Sequence, residues 1–380
     1  MHEGNPCGAR GGAEPAHDLL RPVLREATPV RALPRHDGRV VAQKVKLSTI
    51  AERLGLSTAT VSLALRDSPL VAEVTRERIK EEARSSGYIY NRRAASLRTS
   101  KSGIVGVCVA DIMNPFFGEI LKSVESELDR HRQTFVLCNH YDALAKQRAF
   151  VDTMLQLGAD GLIMSPSVGT PASDIRLAEE NDLPVTLIAR TVEGSGVTSF
   201  HGDDRFGMRL VVDHLIESGH RRIAMVGGTD ATSTGRERER GWREAMEAAG
   251  LEAAPELRIK GPRDRHSGFD ATKQVLSLPD RPTAIACFSD LVALGLMYGL
   301  SREGLRPGID VAVTGYDDVD EAAIAMPSLT TVANGQSEVG RRAADCLAAR
   351  LTGAPAVEAV ELITPQLKIR QSSRCRPASA

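Results

Sequence analysis

Aromatic side chains are scarce in this 380-residue sequence: one tryptophan, five tyrosines and eight phenylalanines, 4% in all. The six cysteines, at positions 7, 108, 138, 287, 346 and 375, form no CxxC pair and no Cys/His spacing of a metal site. That scatter argues against a disulfide scaffold and fits reduced thiols in a cytosolic protein. No apolar run reaches the roughly 18 residues of a membrane span, and the N-terminus lacks the charged-then-apolar order of a secretory signal. Catalytic signatures are missing too. The stretch "GIVGVCVAD" offers only Gly103 and Gly106, short of the GxGxxG phosphate fingerprint, and no GKS/T loop, GxSxG elbow or HExxH occurs. The doublets Asp203-Asp204 and Asp317-Asp318 have no histidine partners. No enzyme activity, cofactor, metal or membrane partner is therefore expected.

Charge is present in nearly equal amounts, 48 Lys+Arg against 49 Asp+Glu, but unevenly placed. Residues 46–102 hold 11 basic and 6 acidic side chains, net +5, whereas residues 103–380 carry 30 and 38, net −8. A basic head before an acidic body suggests a nucleic-acid-facing module joined to a domain with another task.

Five domains are expected along the chain. Residues 1–45, with 7 basic and 5 acidic side chains and no sustained periodicity, read as a disordered leader. A later start at Val40, Val41 or Val45 is the alternative. Residues 46–90 are the head, 91–102 a linker, 103–372 the body and 373–380 a disordered tail. In the body, apolar runs such as "GIVGVCVAD", "ADGLIMSPS", "PVTLIAR", "RIAMVGG" and "TAIACFSD" alternate with amphipathic stretches such as "FFGEILKSVESELDRH". These are the marks of βαβ units with both sheet faces covered. Nine or ten strands exceed one comfortable sheet, so two doubly wound parallel sheets with a cleft at the strand C-termini are expected.

The head contains "LGLSTATVSLALRDSP". Ile50, Ala51 and Leu54 share one helical face before Gly55, and Val61 and Leu65 recur at i and i+4 after Ser57. Gly55 permits the positive φ of a tight turn, Ser57 is typed as an N-cap, and Ala51 lets two helices cross closely. A third helix over 74–86 supplies Ile79 and Ala83, and Gly87 stops it. An ordinary αα-hairpin and a helix-turn-helix both fit this spacing; the basic context favours the second.

Together with "SGYIYNRRAASLR", "NPFFGEI", "SGHRRIAMVGG" and "VTGYDD", this stretch resembles the LacI family of bacterial transcription regulators over about residues 46–372. The resemblance implies a small all-α helix-turn-helix head and an α/β two-lobed, periplasmic-binding-protein-like body. It further implies a homodimer, a repressor working on a pseudo-palindromic double-stranded DNA operator, with a small-molecule effector between the lobes. In such a head the second helix enters the major groove, placing Thr58, Ala59, Thr60, Ser62 and Arg66 at DNA. Relatives often carry Asn at the position of Arg66 and Arg at that of Leu63. The linker "NRRAASLRTSKSG" corresponds to the hinge helix that orders on operator, with Asn91, Arg92, Ala94 and Arg98 at DNA and Leu97 wedged into a central base step of the minor groove. Tyr90 stands where a proline is usual.

For the effector, the resemblance points to Phe116 and Phe117 as a stacking wall, to Arg238 with Thr234 after the strand "RIAMVGG", and to Asp290, which also reads as a helix cap, as an acceptor for effector hydroxyls. Arg190 and Arg263 fall in corresponding cleft segments, the second where relatives often place an aromatic. Three guanidiniums favour a sugar or sugar-derived acid. Ion pairs with Glu193 or Asp264 would absorb two of them. The alternative reading is a sugar-transport solute-binding protein, which would need the cleft but neither head nor linker.

Overall fold

The computed structural model describes residues 45–89, 101–261 and 263–374. The chain divides into two compact units between Tyr90 and Asn91. The first is a three-helix head: α1 (Leu47–Leu54), α2 (Thr58–Ala64) and α3 (Glu73–Ser85). Gly55 ends α1 at φ +66°, the left-handed turn that glycine adopts without a steric cost. The Ser57 side chain then accepts the Thr60 amide at 3.0 Å and caps α2. Ile50, Ala51, Val61, Ala64, Val71, Ile79 and Ala83 form the small core. Ala64, at i+3 from Val61, takes the fully buried place expected of Leu65, because α2 ends at Ala64 and Leu65 lies on its C-cap, partly exposed.

The second unit carries two parallel sheets. The first has six strands. β1 (Ile104–Val109), β2 (Thr134–Asn139), β3 (Gly161–Met164), β4 (Val185–Ile188), β5 (Ser199–Gly202) and β11 (Val360–Ile363) run in the order β11-β5-β4-β3-β1-β2. Helices α4 (Pro115–Arg130), α5 (Leu144–Leu157) and α6 (Ala172–Glu180) connect the first four. Its reversal beside β1 is the doubly wound pattern whose strand C-termini open a crevice.

The second sheet joins β6 (Ile223–Val226), β7 (Arg258–Ile259), β8 (Ala284–Cys287) and β9 (Ala312–Thr314) in the order β7-β6-β8-β9. Around it pack α7 (Asp204–Glu217), α8 (Ser233–Ala248), α9 (Arg265–Leu276) and α10 (Asp290–Arg302). The short helix α11 (Asp320–Ile324) precedes β10 (Thr331–Ala333), which pairs antiparallel with β12 (Gln366–Lys368). α12 (Gln336–Leu351) returns to the first sheet. The count among the described residues is twelve strands, against nine or ten expected. β5, β7 and β10 to β12 are too short, or too mixed in polarity, to read as apolar runs.

α9 and α10 touch backbone to backbone. A Cβ on Gly295 would meet the Arg265 carbonyl, so this glycine is required by close approach rather than by its φ. Cys108, Cys138, Cys287 and Cys346 are free thiols. No helix among the described residues is long and apolar enough to cross a membrane.

Candidate effector cleft and DNA-reading head

In the head, Thr58 and Ala59 are exposed on the first turn of α2, while Thr60 and Ser62 are half-buried. The Thr60 hydroxyl lies 2.9 Å from that of Ser57, so it is shared with the cap. Arg66 is exposed and its Nε donates back to the Ser62 carbonyl at 3.2 Å. The first turn of α2 thus presents a flat face of small side chains, with one guanidinium a turn further on. Asn91, Arg92, Ala94, Leu97 and Arg98 lie outside the described residues.

In the body, a cavity of about 290 Å³ lies between the lobes at the strand C-termini. Six of the seven expected effector residues line it: Phe116, Phe117, Arg190, Thr234, Arg238 and Arg263. Asn114 caps α4 through the Phe116 amide at 3.0 Å and so aims the aromatic pair, whose rings meet edge-on at 5.1 Å. Phe117 is mostly core, packed among Ile120, Val124 and Ala343, and Phe116 is the more open ring.

Arg238 is buried at the cavity floor, its guanidinium held between the rings of Phe288 and Tyr316, 4.5 and 3.7 Å from their centroids. Nε donates to Asp204 at 2.7 Å, Nη1 to the Phe288 carbonyl at 2.5 Å, and Asp317 stands 3.6 Å from Nη2. Burial works against its charge, but Asp204 and Asp317 outweigh that and raise its pKa. Burial pushes the Asp317 carboxyl up to about 7, against the pull of Arg238 and with the push of Asp204.

Asp290 does not line the cavity. Its carboxylate turns into the protein, accepting the Val319 amide at 2.9 Å and the Thr331 hydroxyl at 2.5 Å. It is not the cap either, since Ser289 caps α10 through the Val292 amide. Within this buried cluster it is Asp317 that lines the cavity.

Arg190 and Arg263 converge on one carboxylate, that of Asp142, rather than on Glu193 or Asp264. Arg190 forks onto Asp142, one bond measuring 3.2 Å, and also donates to the Pro166 carbonyl at 2.9 Å. Arg263, from the opposite lobe, donates to Asp142 at 3.0 Å. Burial opposes ionisation of Asp142, yet Arg190 holds its pKa below the ordinary value. Tyr141 and Asp142 both have positive φ, +52° and +59°, so a strained turn at the end of β2 places this acid across the cleft. The sequence did not mark Tyr141, Asp142, Phe288 or Asp317 as cleft residues. The rule that ligands sit beyond strand C-termini points to all four, which follow β2, β8 and β9 by one to three residues.

Residues 46–91 match the family described as "Bacterial regulatory proteins, lacI family", and residues 212–373 match the "Periplasmic binding protein-like domain". The HTH-type transcriptional repressor PurR of Photobacterium profundum is 30% identical over 327 residues, covering 86% of this chain and 98% of that protein. The chain belongs to the lacI family of bacterial regulatory proteins. It is a DNA-binding transcription regulator with a helix-turn-helix head and a periplasmic-binding-protein-like body. Among solved structures, this regulator is similar to the Lac repressor dimer bound to operator and the anti-inducer ONPF. That match has a TM-score of 0.76 and 26% identity, and covers 87% of this chain and 99% of the other. It is also similar to the transcriptional regulator CelR in complex with cellobiose, with TM-score 0.65, 29% identity and coverage of 87% and 100%.

Proposed function

We propose that this regulator is a repressor that works in the cytoplasm as a homodimer on a pseudo-palindromic operator, and that a small polyhydroxylated metabolite in the cleft sets its hold on DNA. The reading includes no catalytic step. The observation that carries it is the joining, in one chain, of a capped recognition helix with small outward side chains to a polar cleft walled by both lobes. The alternative of a transport solute-binding protein does not account for the head.

For DNA, Thr58, Ala59, Thr60, Ser62 and Arg66 are the base-reading candidates. Asn91, Arg92, Ala94, Leu97 and Arg98 are the hinge candidates. Arg92→Ala and Arg98→Ala weaken binding to all duplexes alike and lower its salt dependence, whereas Ala59→Arg changes sequence preference. Leu97→Ala weakens operator binding by about 1–3 kcal/mol while sparing effector binding, since the wedge that kinks the DNA is lost. Gel-shift titrations at several salt concentrations check all four. No sequence-selective duplex binding by the wild type, with or without metabolites, would overturn the regulator reading.

For the effector, the arginines no longer call for an acid. The Asp142 carboxylate is shared by Arg190 and Arg263 and offsets one of their two charges, while Asp204 and Asp317 flank Arg238, so donors of all three arginines are already engaged by acids of the protein. A neutral carbohydrate fits better, with its ring face on Phe116 and its hydroxyls on Asp142, Asp317 and Thr234. The bound cellobiose of the CelR relative has that chemistry. Asp142→Asn leaves two guanidiniums without a counter-charge, so the variant shifts selectivity toward sugar acids by roughly 10-fold or more. Calorimetric titration of a matched neutral sugar and uronic acid into wild type and variant reads this. Equal selectivity in the two proteins would remove Asp142 from the effector site.

A further inference from the structure

Cys108 and Cys138 are direct register partners on the neighbouring parallel strands β1 and β2. In a parallel pair such partners project to the same face, and both thiols belong to one apolar cluster with Met154, Leu162 and Met164. Adjacent strands lie about 4.8 Å apart, within the Cα separation of roughly 4.4–6.8 Å that a disulfide spans. The two sites are not equivalent. Cys108 is wholly buried on an inner strand, whereas Cys138 retains 8% exposure on β2, the outermost strand of its sheet.

We propose that Cys108 and Cys138 form a peroxide-responsive dithiol, Cys138 the attacking thiol and Cys108 the resolving one, that closes to a reversible disulfide across β1 and β2. The step consumes one hydroperoxide. The Cys138 thiolate attacks the peroxide oxygen, the O–O bond breaks, and water leaves to give a sulfenic acid. The Cys108 sulfur then attacks the sulfenyl sulfur, the S–O bond breaks and the S–S bond forms. A second water departs, and the two thiol protons end in the two waters as the dithiol loses two electrons to the peroxide.

Local electrostatics assign the same roles. The neighbouring Cys108 thiol, with Lys146 nearby, lowers the Cys138 thiol to about 7 against the opposing effect of burial. The proximity of Cys138, added to burial, raises Cys108. Side chains of in-register parallel partners stand side by side rather than pointing at one another, so the bridge is of the labile kind that a dithiol reductant reopens. The consequence reaches the cleft. β1 runs into Asp111 and Asn114, β2 runs into Tyr141 and Asp142, and all four line the cavity. An S–S bond ties these two walls together.

The test uses the full-length, fully reduced protein, treated with hydrogen peroxide, quenched, denatured and alkylated with N-ethylmaleimide for peptide mass mapping. The expected result is one cross-linked peptide pair containing Cys108 and Cys138, reopened by dithiothreitol, with Cys287 and Cys346 still alkylated. In Cys138→Ser or Cys108→Ser the cross-link falls to background, and Cys108→Ala serves where the serine variant does not fold. Either of two results overturns the proposal: Cys108 and Cys138 both remaining fully alkylatable after peroxide, or Cys138 over-oxidising in the wild type without any cross-link to Cys108.

Discussion

Arg238→Ala weakens effector binding by more than about 100-fold and lowers the stability of the body by on the order of 3–5 kcal/mol. Both effects follow from the same burial. Arg238 is 4% exposed, and its guanidinium is hydrogen-bonded to Asp204 at 2.7 Å and flanked by Asp317. Its removal leaves two acids facing each other in a low-dielectric pocket, together with a cavity between Phe288 and Tyr316. Breaking one member of a buried charge cluster costs far more than the cluster contributes, because the remaining charge has no compensation. The control is Arg238→Met combined with Asp204→Asn and Asp317→Asn, which removes the charges together. That variant regains most of the stability in urea denaturation yet still fails to bind the effector by calorimetry. If Arg238→Ala alone unfolds at the wild-type urea midpoint, the guanidinium is not the organising charge of the cleft.

Raising the pH from 5 to 8 destabilises the wild type by roughly 3 kcal/mol through Asp317 alone. The sign follows from proton counting. Folding raises this carboxyl from its ordinary 3.8 to about 7, chiefly by burial. Across that interval the native state holds a proton that the unfolded state has released, so stability is greatest below the lower value and is lost as pH climbs toward the upper one. Asp290, also raised by burial and by the Asp317 charge, acts in the same direction. Acids held low by arginine, such as Asp142 and Glu338, act oppositely and only in more acidic solution. Asp317→Asn removes the titration while keeping the shape. Urea midpoints of wild type and variant at pH 5 and pH 8 give the comparison, and equal pH dependence in the two proteins would place the titration elsewhere.

The head was legible because its determinants are local. Gly55, Ser57 and the apolar positions Ile50, Ala51 and Val61 fix a turn, a cap and a face within one stretch of twelve residues, and the structure uses each of them in that way. The apolar strands of the body were legible for a similar reason, since a strand covered on both faces must be apolar along its whole length. Edge strands carry no such mark. β11 is mostly exposed and owes its place to pairing with β5, a strand about 160 residues earlier.

Which residues approach the cleft could also be read in part, because strand C-termini face it by topology. What each charge does there could not. Asp142 meets Arg263 across 121 positions of sequence, and Asp204 meets Arg238 across 34. Asp290 turns inward because Val319 and Thr331, brought beside it by later elements, offer an amide and a hydroxyl at hydrogen-bonding distance. A charged side chain out of water takes whichever partner satisfies it at about 3 Å. Sequence determined the helix-turn-helix, the two-lobed α/β body and, at the cleft, Arg190, Thr234, Arg238 and Arg263; only the packed tertiary structure brought Asp142 and Asp317 to them, turned Asp290 inward, and decided which groups are already spent on one another.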